Sequence, residues 1–180
     1  KGGVDSGLKS VGRTTRPNQL TAGADADHAG GKDRRSVSGW AVMLNGAMVT
    51  WSSKRQPVTA ISSTESEFYA VSQCALDCVY LRRVMQFMGY EQQTPTPIAQ
   101  DNAACIYLVK GAGMYHRAKH IDTRVYRIRE LSSGNSPEVE VYKIAGQDQP
   151  ADIFTKGLAR VAFERHRLTL MGESPSKLGE

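Results

Sequence analysis

The sequence lacks the features that mark membrane-spanning, secreted and disulfide-stabilised proteins. None of its apolar runs approaches the roughly 18 uninterrupted residues that a membrane-spanning helix requires. Its first ten residues, KGGVDSGLKS, contain no apolar signal core. Its three cysteines, Cys74, Cys78 and Cys105, form no CxxC pair and leave one thiol unpaired. These absences argue against a disulfide framework and favour an intracellular, reducing environment.

The composition is ordinary for a globular protein, with an excess of positive charge. Hydrophobic residues make up 40% and charged residues 23% of the 180 positions. A chain of this length can bury about 70% of its unfolded surface in one domain. The net charge of +5 suggests a polyanionic partner, although charge alone is a weak signal. The chain begins with Lys1 rather than Met, and we expect it to be cut from a larger protein.

The first third of the sequence predicts a linker followed by antiparallel strands. Residues 1–18 are polar and glycine-rich and are typical of a linker. Residues 19–31 predict a short strand that runs into glycines. In residues 38–53, two apolar runs flank Asn45-Gly46, whose tolerance of positive φ favours a type I′ hairpin turn. We therefore expect a meander of about three strands.

A long helix is predicted after the meander, opening at Ser62 or Ser63 in the stretch SSTESEFYA. Its apolar residues recur at spacings of three and four, as on one face of a helix. They are Val71, Cys74, Cys78, Leu81, Met85 and Met88. Gly89 suits the C-cap of this helix.

The second half of the sequence alternates strands with helices. The predicted elements are a strand at 94–100, a helix from Asp101-Asn102 through about Lys110, a helix within 111–131, a strand within 136–146 and a helix that begins at Pro150. The domain then spans residues 19–171, with a disordered tail at 172–180. The element order predicts an α/β fold: a five-stranded mixed sheet, made of the antiparallel meander plus parallel strands, with helices on both faces.

Acidic residues recur where the predicted elements meet. They are Asp25 and Asp27 at the end of the first strand, Glu65 and Glu67 in the first turn of the long helix, Asp101 after the fourth strand and Asp152 in the first turn of the last helix. Side chains at strand ends and neighbouring helix N-termini gather at one edge of an α/β sheet. Clustered carboxylates repel one another and need cations, and hard oxygen ligands select Mg²⁺ or Mn²⁺. Each acid alone is equally well explained as a cap or turn residue, so the prediction rests on their joint occurrence.

The two glutamates of the long helix are expected to play different parts. Glu67 lies four residues before Val71, so it continues the apolar stripe and should face the sheet. Glu65 lies about 160° away around the helix. It stands three residues after Ser62, as the acid of a capping box does. Glu67 is therefore the candidate ligand and Glu65 the candidate cap.

Six stretches of the sequence resemble the ribonuclease H domain of copia-type LTR retrotransposon polyproteins. They are GADADHAG, RRSVSGWAVMLNGAMVTWSSKRQ, SSTESEFYA, AQDNAACIYL, HRAKHIDTRVYRIRE and QPADIFTKGL, which occur in the family's order within roughly residues 20–160. The resemblance implies a ribonuclease H-like fold, in a domain that follows the reverse transcriptase. It also implies catalytic metal ligands at Asp25, Glu67, Asp101 and Asp152. Asp25 is favoured over Asp27 because it matches the acid that ends the first strand in ribonucleases H.

The activity implied by this resemblance is two-metal hydrolysis of the RNA strand of an RNA–DNA hybrid. Asp25 would bridge two Mg²⁺ ions, or Mn²⁺ as a substitute, with Glu67 and Asp101 on one ion and Asp152 on the other. The implied partners are the hybrid and the reverse transcriptase domain of the same polyprotein, with no membrane and no structural zinc. The implied location is intracellular, in a cytoplasmic virus-like particle.

The alternative function is that of a domesticated or degenerate copy, which keeps the fold as a nucleic-acid-binding or structural module without catalysis. One departure from the family's pattern is compatible with this alternative function. The family commonly has Trp after the motif DAD, and this sequence has His28. The metal ligands are intact, but local packing or substrate contact beside Asp25 is in question. Asp27 is expected to shape the turn.

The predicted third helix is basic and supplies most of the candidate substrate contacts. These are Asn102, His116, Lys119, His120 and Arg124. Contact with hybrid phosphates would make binding salt-dependent. One alternative is that these residues form a solvated basic face. Another is a zinc site on His116 and His120, which are four residues apart, but the sequence offers no further ligand pair for it. The segment AGQDQP lacks the histidine that many type I ribonucleases H carry before the last acid, and His116 or His120 is a candidate substitute.

Overall fold

The strands form one mixed, five-stranded sheet. The computed structural model describes residues 18–30, 32–111 and 119–173, and for residues 119–122 it describes the backbone alone. The strands are β1 (Leu20–Asp27), β2 (Val37–Leu44), β3 (Ala47–Arg55), β4 (Thr96–Gln100) and β5 (Val139–Lys143), in the spatial order β3-β2-β1-β4-β5. The first three pair antiparallel, whereas β4 pairs parallel with β1 and with β5. The predicted mixed sheet is confirmed.

The turn between β2 and β3 is the hairpin that the dipeptide predicts. Asn45 has a φ of 53° and Gly46 a φ of 86°. Positive φ at both central residues defines a type I′ turn, whose twist matches that of the strands it joins. The backbone N–H of Asn45 also donates to the carbonyl of Gln19 at 3.1 Å, which ties the turn to the start of the domain.

The described part of the chain contains four α-helices. They are α1 (Ser63–Phe87), α2 (Ala103–Val109), α3 (Lys119–Ser133) and α4 (Arg160–Leu170). α1 begins where the sequence predicts. Within its apolar stripe, Val71, Cys74 and Cys78 are fully buried, whereas Met88 lies just beyond the helix and is 54% exposed.

The prediction of a helix from Pro150 is wrong in type and extent. Pro150–Phe154 forms a 3₁₀ helix, and α4 begins only at Arg160. The Ser53 hydroxyl donates to the Phe154 carbonyl at 2.6 Å, which gives that oxygen a partner outside the helix. Gly157 follows shortly, and glycine has low helix propensity. The 3₁₀ helix therefore ends at Phe154, and the acid at position 152 lies within it.

The core has two layers, one on each face of the sheet. Alternate residues of a strand point to opposite faces, so Trp40 and Val42 of β2 join a large cluster with α1, α2 and α3. Ala41 and Met43 join a smaller cluster with Leu170 of α4. Helices therefore cover both faces, as predicted.

The predicted terminal segments lie almost entirely outside the described residues. Of the linker at 1–18 only residue 18 is described, and of the tail at 172–180 only residues 172 and 173. Both assignments stay predictions. Within the described ranges, no helix is both long enough and apolar enough to cross a membrane.

Candidate metal centre

Two acids of the candidate site are brought together by the parallel pairing of β1 with β4. Ala22 pairs with Ile98 and Gly23 with Ala99. Continued by two residues, this register sets Asp25 opposite Asp101, which directly follows β4. Neighbouring parallel strands end at the same edge of a sheet, so the two carboxylates become neighbours there. Asp25 is 1% exposed.

The first turn of α1 supplies the third acid and separates the two glutamates. The backbone N–H of Glu65 donates to the Ser62 hydroxyl at 3.2 Å, and the Glu65 carboxylate accepts from the Ile61 N–H at 2.7 Å. Glu65 is thus part of the helix cap. Glu67 is 7% exposed, and its Oε2 accepts from Gln100 Nε2 at 3.3 Å. The structure therefore places Glu67 on the side of the sheet edge, as the stripe predicts.

Three of the four predicted ligands share one point. Asp25, Glu67 and Asp101 each offer a carboxylate oxygen, and these oxygens lie within 4.8 Å of one another. Asp152 is not part of this cluster, although it is 9% exposed and close enough to interact with Asp25. It is joined to the cluster through Lys156, whose Nζ lies 3.0 Å from Asp152 Oδ1 and 3.6 Å from Asp25 Oδ2.

The electrostatics of the cluster indicate a shortage of positive charge. Burial, together with the charges of Asp25 and Asp101, raises the pKa of Glu67 to about 9. Burial and the charge of Asp25 raise the pKa of Asp152 to about 6, against the opposing effect of Lys156. The ionised form of carboxylates that are buried this close together is stable only when a cation lies beside them. Clustered carboxylate oxygens fit a hard divalent ion such as Mg²⁺ or Mn²⁺.

Several residues that sequence reasoning missed hold the acids in place. The hydroxyl of Thr155 donates to Asp25 Oδ2, and Lys156 pairs with both Asp25 and Asp152. A signal for them was available, because Thr155-Lys156 directly follows the acid-bearing stretch ADIF. Lys156 also stands four residues after Asp152, a spacing at which opposite charges often pair.

Two buried glutamines tie the strand ends to the site. Gln100 Oε1 accepts from the N–H groups of Asp101 at 2.7 Å and Asn102 at 2.8 Å. Gln149 Nε2 donates to the carbonyls of Ala24 at 2.9 Å and Ala99 at 3.2 Å. These side-chain amides satisfy backbone groups where the ladder between the strands ends, which keeps the acids at fixed positions. No pattern in the sequence singled them out.

The candidate substrate contacts are only partly described. Asn102 is the N-cap of α2, and its Oδ1 accepts from the Cys105 N–H at 3.0 Å. The guanidinium of Arg124 lies 4.2 Å from the centre of the Tyr69 ring. His116 lies outside the described residues, and the side chains of Lys119 and His120 do as well. Contact of these five residues with a substrate stays a prediction.

His28, the departure from the family pattern, lies in the loop between β1 and β2. Its Nδ1 is 3.5 Å from the hydroxyl of Ser36. The same hydroxyl accepts from the backbone N–H of Ala29 at 3.2 Å. The histidine therefore takes part in holding the loop that follows Asp25 and Asp27.

Comparison by sequence finds relatives among transposon polyproteins, although no protein-family model matches the chain. The chain is 37% identical over 142 residues to the Retrovirus-related Pol polyprotein from transposon TNT 1-94 of Nicotiana tabacum. It is 34% identical over 147 residues to the one from transposon RE2 of Arabidopsis thaliana. The alignments cover 78% and 81% of this chain but 10% of each relative. The chain thus spans about a tenth of the length of these relatives.

Comparison by structure finds ribonucleases H. LC11-RNase H1, isolated from compost by a metagenomic approach, matches with a TM-score of 0.55 at 14% identity, covering 77% of this chain and 93% of that one. The same protein in complex with an RNA/DNA hybrid matches with a TM-score of 0.55 at 11% identity, covering 76% and 94%. The N-terminal RNase H domain of rv2228c from Mycobacterium tuberculosis matches with a TM-score of 0.57 at 12% identity, covering 84% and 98%. At these identities the similarity establishes the fold.

Proposed function

We propose that this chain, a ribonuclease H-fold domain of the copia-type retrotransposon Pol polyprotein family, hydrolyses the RNA strand of RNA–DNA hybrids. The observation that carries the proposal is the convergence of Asp25, Glu67 and Asp101 within 4.8 Å at one edge of the sheet. A further acid, Asp152, lies beside them. A purely structural module would gain nothing from burying these like charges together, because their repulsion destabilises the fold.

The residues suit two divalent ions. Asp25 clusters with Glu67 and Asp101 and also interacts with Asp152. It would therefore contribute to both ions, Glu67 and Asp101 to one, and Asp152 to the other. When bound, Mg²⁺ supplies an attacking water of lowered pKa and stabilises the leaving oxygen. Mn²⁺, another hard ion, would substitute for it.

The surrounding side chains orient the acids for that purpose. Gln100 donates to Glu67 Oε2 at 3.3 Å and so helps to hold this carboxylate toward the sheet edge. The Thr155 hydroxyl holds Asp25 from the side of the 3₁₀ helix. Asn102 rather than Asp101 caps α2, so the Asp101 carboxylate is not used in the cap. Ligands held by neighbours in this way lose little freedom when a cation binds.

The fold and the sequence family support an RNA–DNA hybrid as the proposed substrate class. The 2′-hydroxyl separates RNA from DNA, and Glu67 would accept a hydrogen bond from it. Asn102, His116, Lys119, His120 and Arg124 are the proposed contacts to the hybrid. The hybrid would come from the reverse transcriptase domain of the same polyprotein, in a cytoplasmic virus-like particle.

The test is cleavage of a labelled RNA–DNA hybrid by the purified chain, with Mg²⁺ and then with EDTA. We expect RNA fragments with Mg²⁺ and none with EDTA. The variants Asp25→Asn and Asp101→Asn should lose cleavage by about 10³-fold or more, since several kcal/mol of transition-state stabilisation are removed. Asp27→Asn, at the last residue of the same strand, is the matched control and should cleave normally. Circular dichroism should show all three variants folded.

Near-normal cleavage by both Asp25→Asn and Asp101→Asn would contradict the assignment. A folded native chain that binds the hybrid and leaves its RNA intact in Mg²⁺ would favour the alternative, a degenerate nucleic-acid-binding module.

A further inference from the structure

The Asp152 side of the site already contains a positive charge. Lys156 Nζ lies between two carboxylates, 3.0 Å from Asp152 Oδ1 and 3.6 Å from Asp25 Oδ2. We propose that Lys156 is a positioning residue that acts as a tethered cation. Its ammonium holds Asp25 and Asp152 together when no divalent ion is bound, and it competes with a divalent ion for these two carboxylates. The inference rests on the proposed function in one respect: it assumes that the site binds divalent cations.

Hydrogen bonds fix the backbone of Lys156, whereas its ammonium group is at the end of a partly exposed side chain. The N–H groups of Thr155 and Lys156 donate to the carbonyl of Asp152 at 3.1 and 3.2 Å. The Thr155 side chain donates to the same carbonyl at 3.2 Å and to Asp25. The Lys156 side chain is 40% exposed, whereas that of Asp25 is 2% exposed. The ammonium can therefore swing into solvent on its flexible stem without any change in the fold.

The charges at the site favour such competition. The four ionised carboxylates carry four negative charges. One divalent ion and the Lys156 ammonium together supply three positive charges, so the site is then one charge from neutrality. A second divalent ion would create a surplus of positive charge unless the ammonium moved away. A like charge within a few ångströms weakens the binding of that ion, and partial exposure screens the effect without removing it.

The two sides of the site should therefore bind divalent ions in order. Glu67 has a neutral amide, that of Gln100, as its hydrogen-bond partner. The first ion is expected at Asp25, Glu67 and Asp101, because the Lys156 ammonium contacts Asp25 alone among these three carboxylates, and the Lys143 ammonium contacts the backbone carbonyl of Asp101 rather than its carboxylate. The second ion is expected at Asp25 and Asp152, and its affinity is set by Lys156.

The experiment is a titration with the metal ion alone, using the full chain and no substrate. Mn²⁺ is titrated into metal-free protein, with heat recorded by calorimetry and bound ion counted by electron paramagnetic resonance. The variants are Lys156→Met, Lys156→Arg, which keeps the charge, and Lys110→Met. Lys110 is an exposed residue at the C-terminal end of α2, and its replacement removes the same charge elsewhere.

We expect the native chain to show a tight and a weak binding step. Lys156→Met should tighten the weak step by about tenfold or more. Lys156→Arg and Lys110→Met should leave that step within about twofold of native. If Lys156→Met does not fold, Lys156→Gln serves in its place, because it also removes the charge and keeps a hydrogen-bonding side chain.

A weak step unchanged by loss of the Lys156 charge overturns the inference, and so does equal tightening by Lys110→Met. These failures are separable from failure of the proposed function. A native chain that binds Mn²⁺ and cleaves the hybrid, with no effect of Lys156→Met on the weak step, contradicts the inference alone. A native chain that binds no divalent ion contradicts both.

Discussion

Two sides of the acidic site bury carboxylates in different surroundings. On one side, Glu67 is 7% exposed, faces Asp25 and Asp101, and has a neutral amide partner in Gln100. On the other, Asp152 is 9% exposed, also faces Asp25, and is paired with the ammonium of Lys156. Burial raises the pKa of both acids, to about 9 for Glu67 and to about 6 for Asp152.

The two acids differ both in how deeply the protein surrounds them and in the compensating charge beside them. The exposed fractions of Glu67 and Asp152 are similar, but among the described side chains a cation pairs with Asp152 and none pairs with Glu67. A buried carboxylate without a counter-charge destabilises the fold, and a site retained at that cost is typical of function. The Glu67 side is therefore the stronger candidate for the first divalent ion.

The largest expected difference between the Glu67 side and the Asp152 side is in their affinity for a divalent cation. Glu67→Gln should weaken the tighter Mn²⁺-binding step by about 100-fold, because ligand charge largely sets the affinity for a hard ion. Asp152→Asn should leave the tighter step near native and weaken the other. Calorimetric titration of both variants measures this. Equal losses on the same step would show that the two sides are one site.

A smaller effect is expected on the pH dependence of stability without metal. The folded chain keeps a proton on Glu67 up to about pH 9, whereas the unfolded chain loses it near the ordinary value of 4.5. The folded state thus binds more protons in this window, and the free energy of unfolding falls as pH rises through it. Glu67→Gln carries no titrating group, so it should be more stable than native at pH 8, by about 2 kcal/mol, and close to native at pH 4.

Thermal unfolding in EDTA at the two pH values checks this expectation. Glu65→Gln is the matched control, because Glu65 belongs to the helix cap and lies outside the acidic cluster. If the native and Glu67→Gln chains lost equal stability as the pH rises, the Glu67 carboxylate of the native chain would have a compensating charge, and the expectation would be wrong.

The smallest effect is expected on the lysine side. Thr155→Val removes the hydroxyl that donates to Asp25 and preserves the side chain's shape. Loss of a hydrogen bond to a charged group should lower the free energy of unfolding by about 1.5 kcal/mol. Thr169→Val is the control, since the Thr169 hydroxyl donates to a backbone carbonyl within α4. Denaturant unfolding of both variants measures the difference, and equal effects would refute a special contribution of Thr155.

Much of the fold was predictable because its signals are local. Asn45-Gly46 determines a hairpin through its own φ angles, and Ser62 with Glu65 caps α1 within one turn. The side of α1 that carries Glu67 follows from helical periodicity. The prediction failed at Pro150, where a contact from Ser53, about a hundred residues away in the chain, competes with helix formation.

Local sequence patterns were sufficient to establish which acids are present, the order of the elements that carry them, and which glutamate of α1 faces the sheet. Those properties depend on neighbours within one turn or one hairpin. Only long-range packing brings Asp25, Glu67 and Asp101 to one point and Lys156 within reach of Asp25, whereas the pairing of Lys156 with Asp152 is local. That grouping depends on the parallel register of β1 with β4 and on where the 3₁₀ helix packs against the sheet. Both are contacts between distant parts of the chain, which no local pattern encodes.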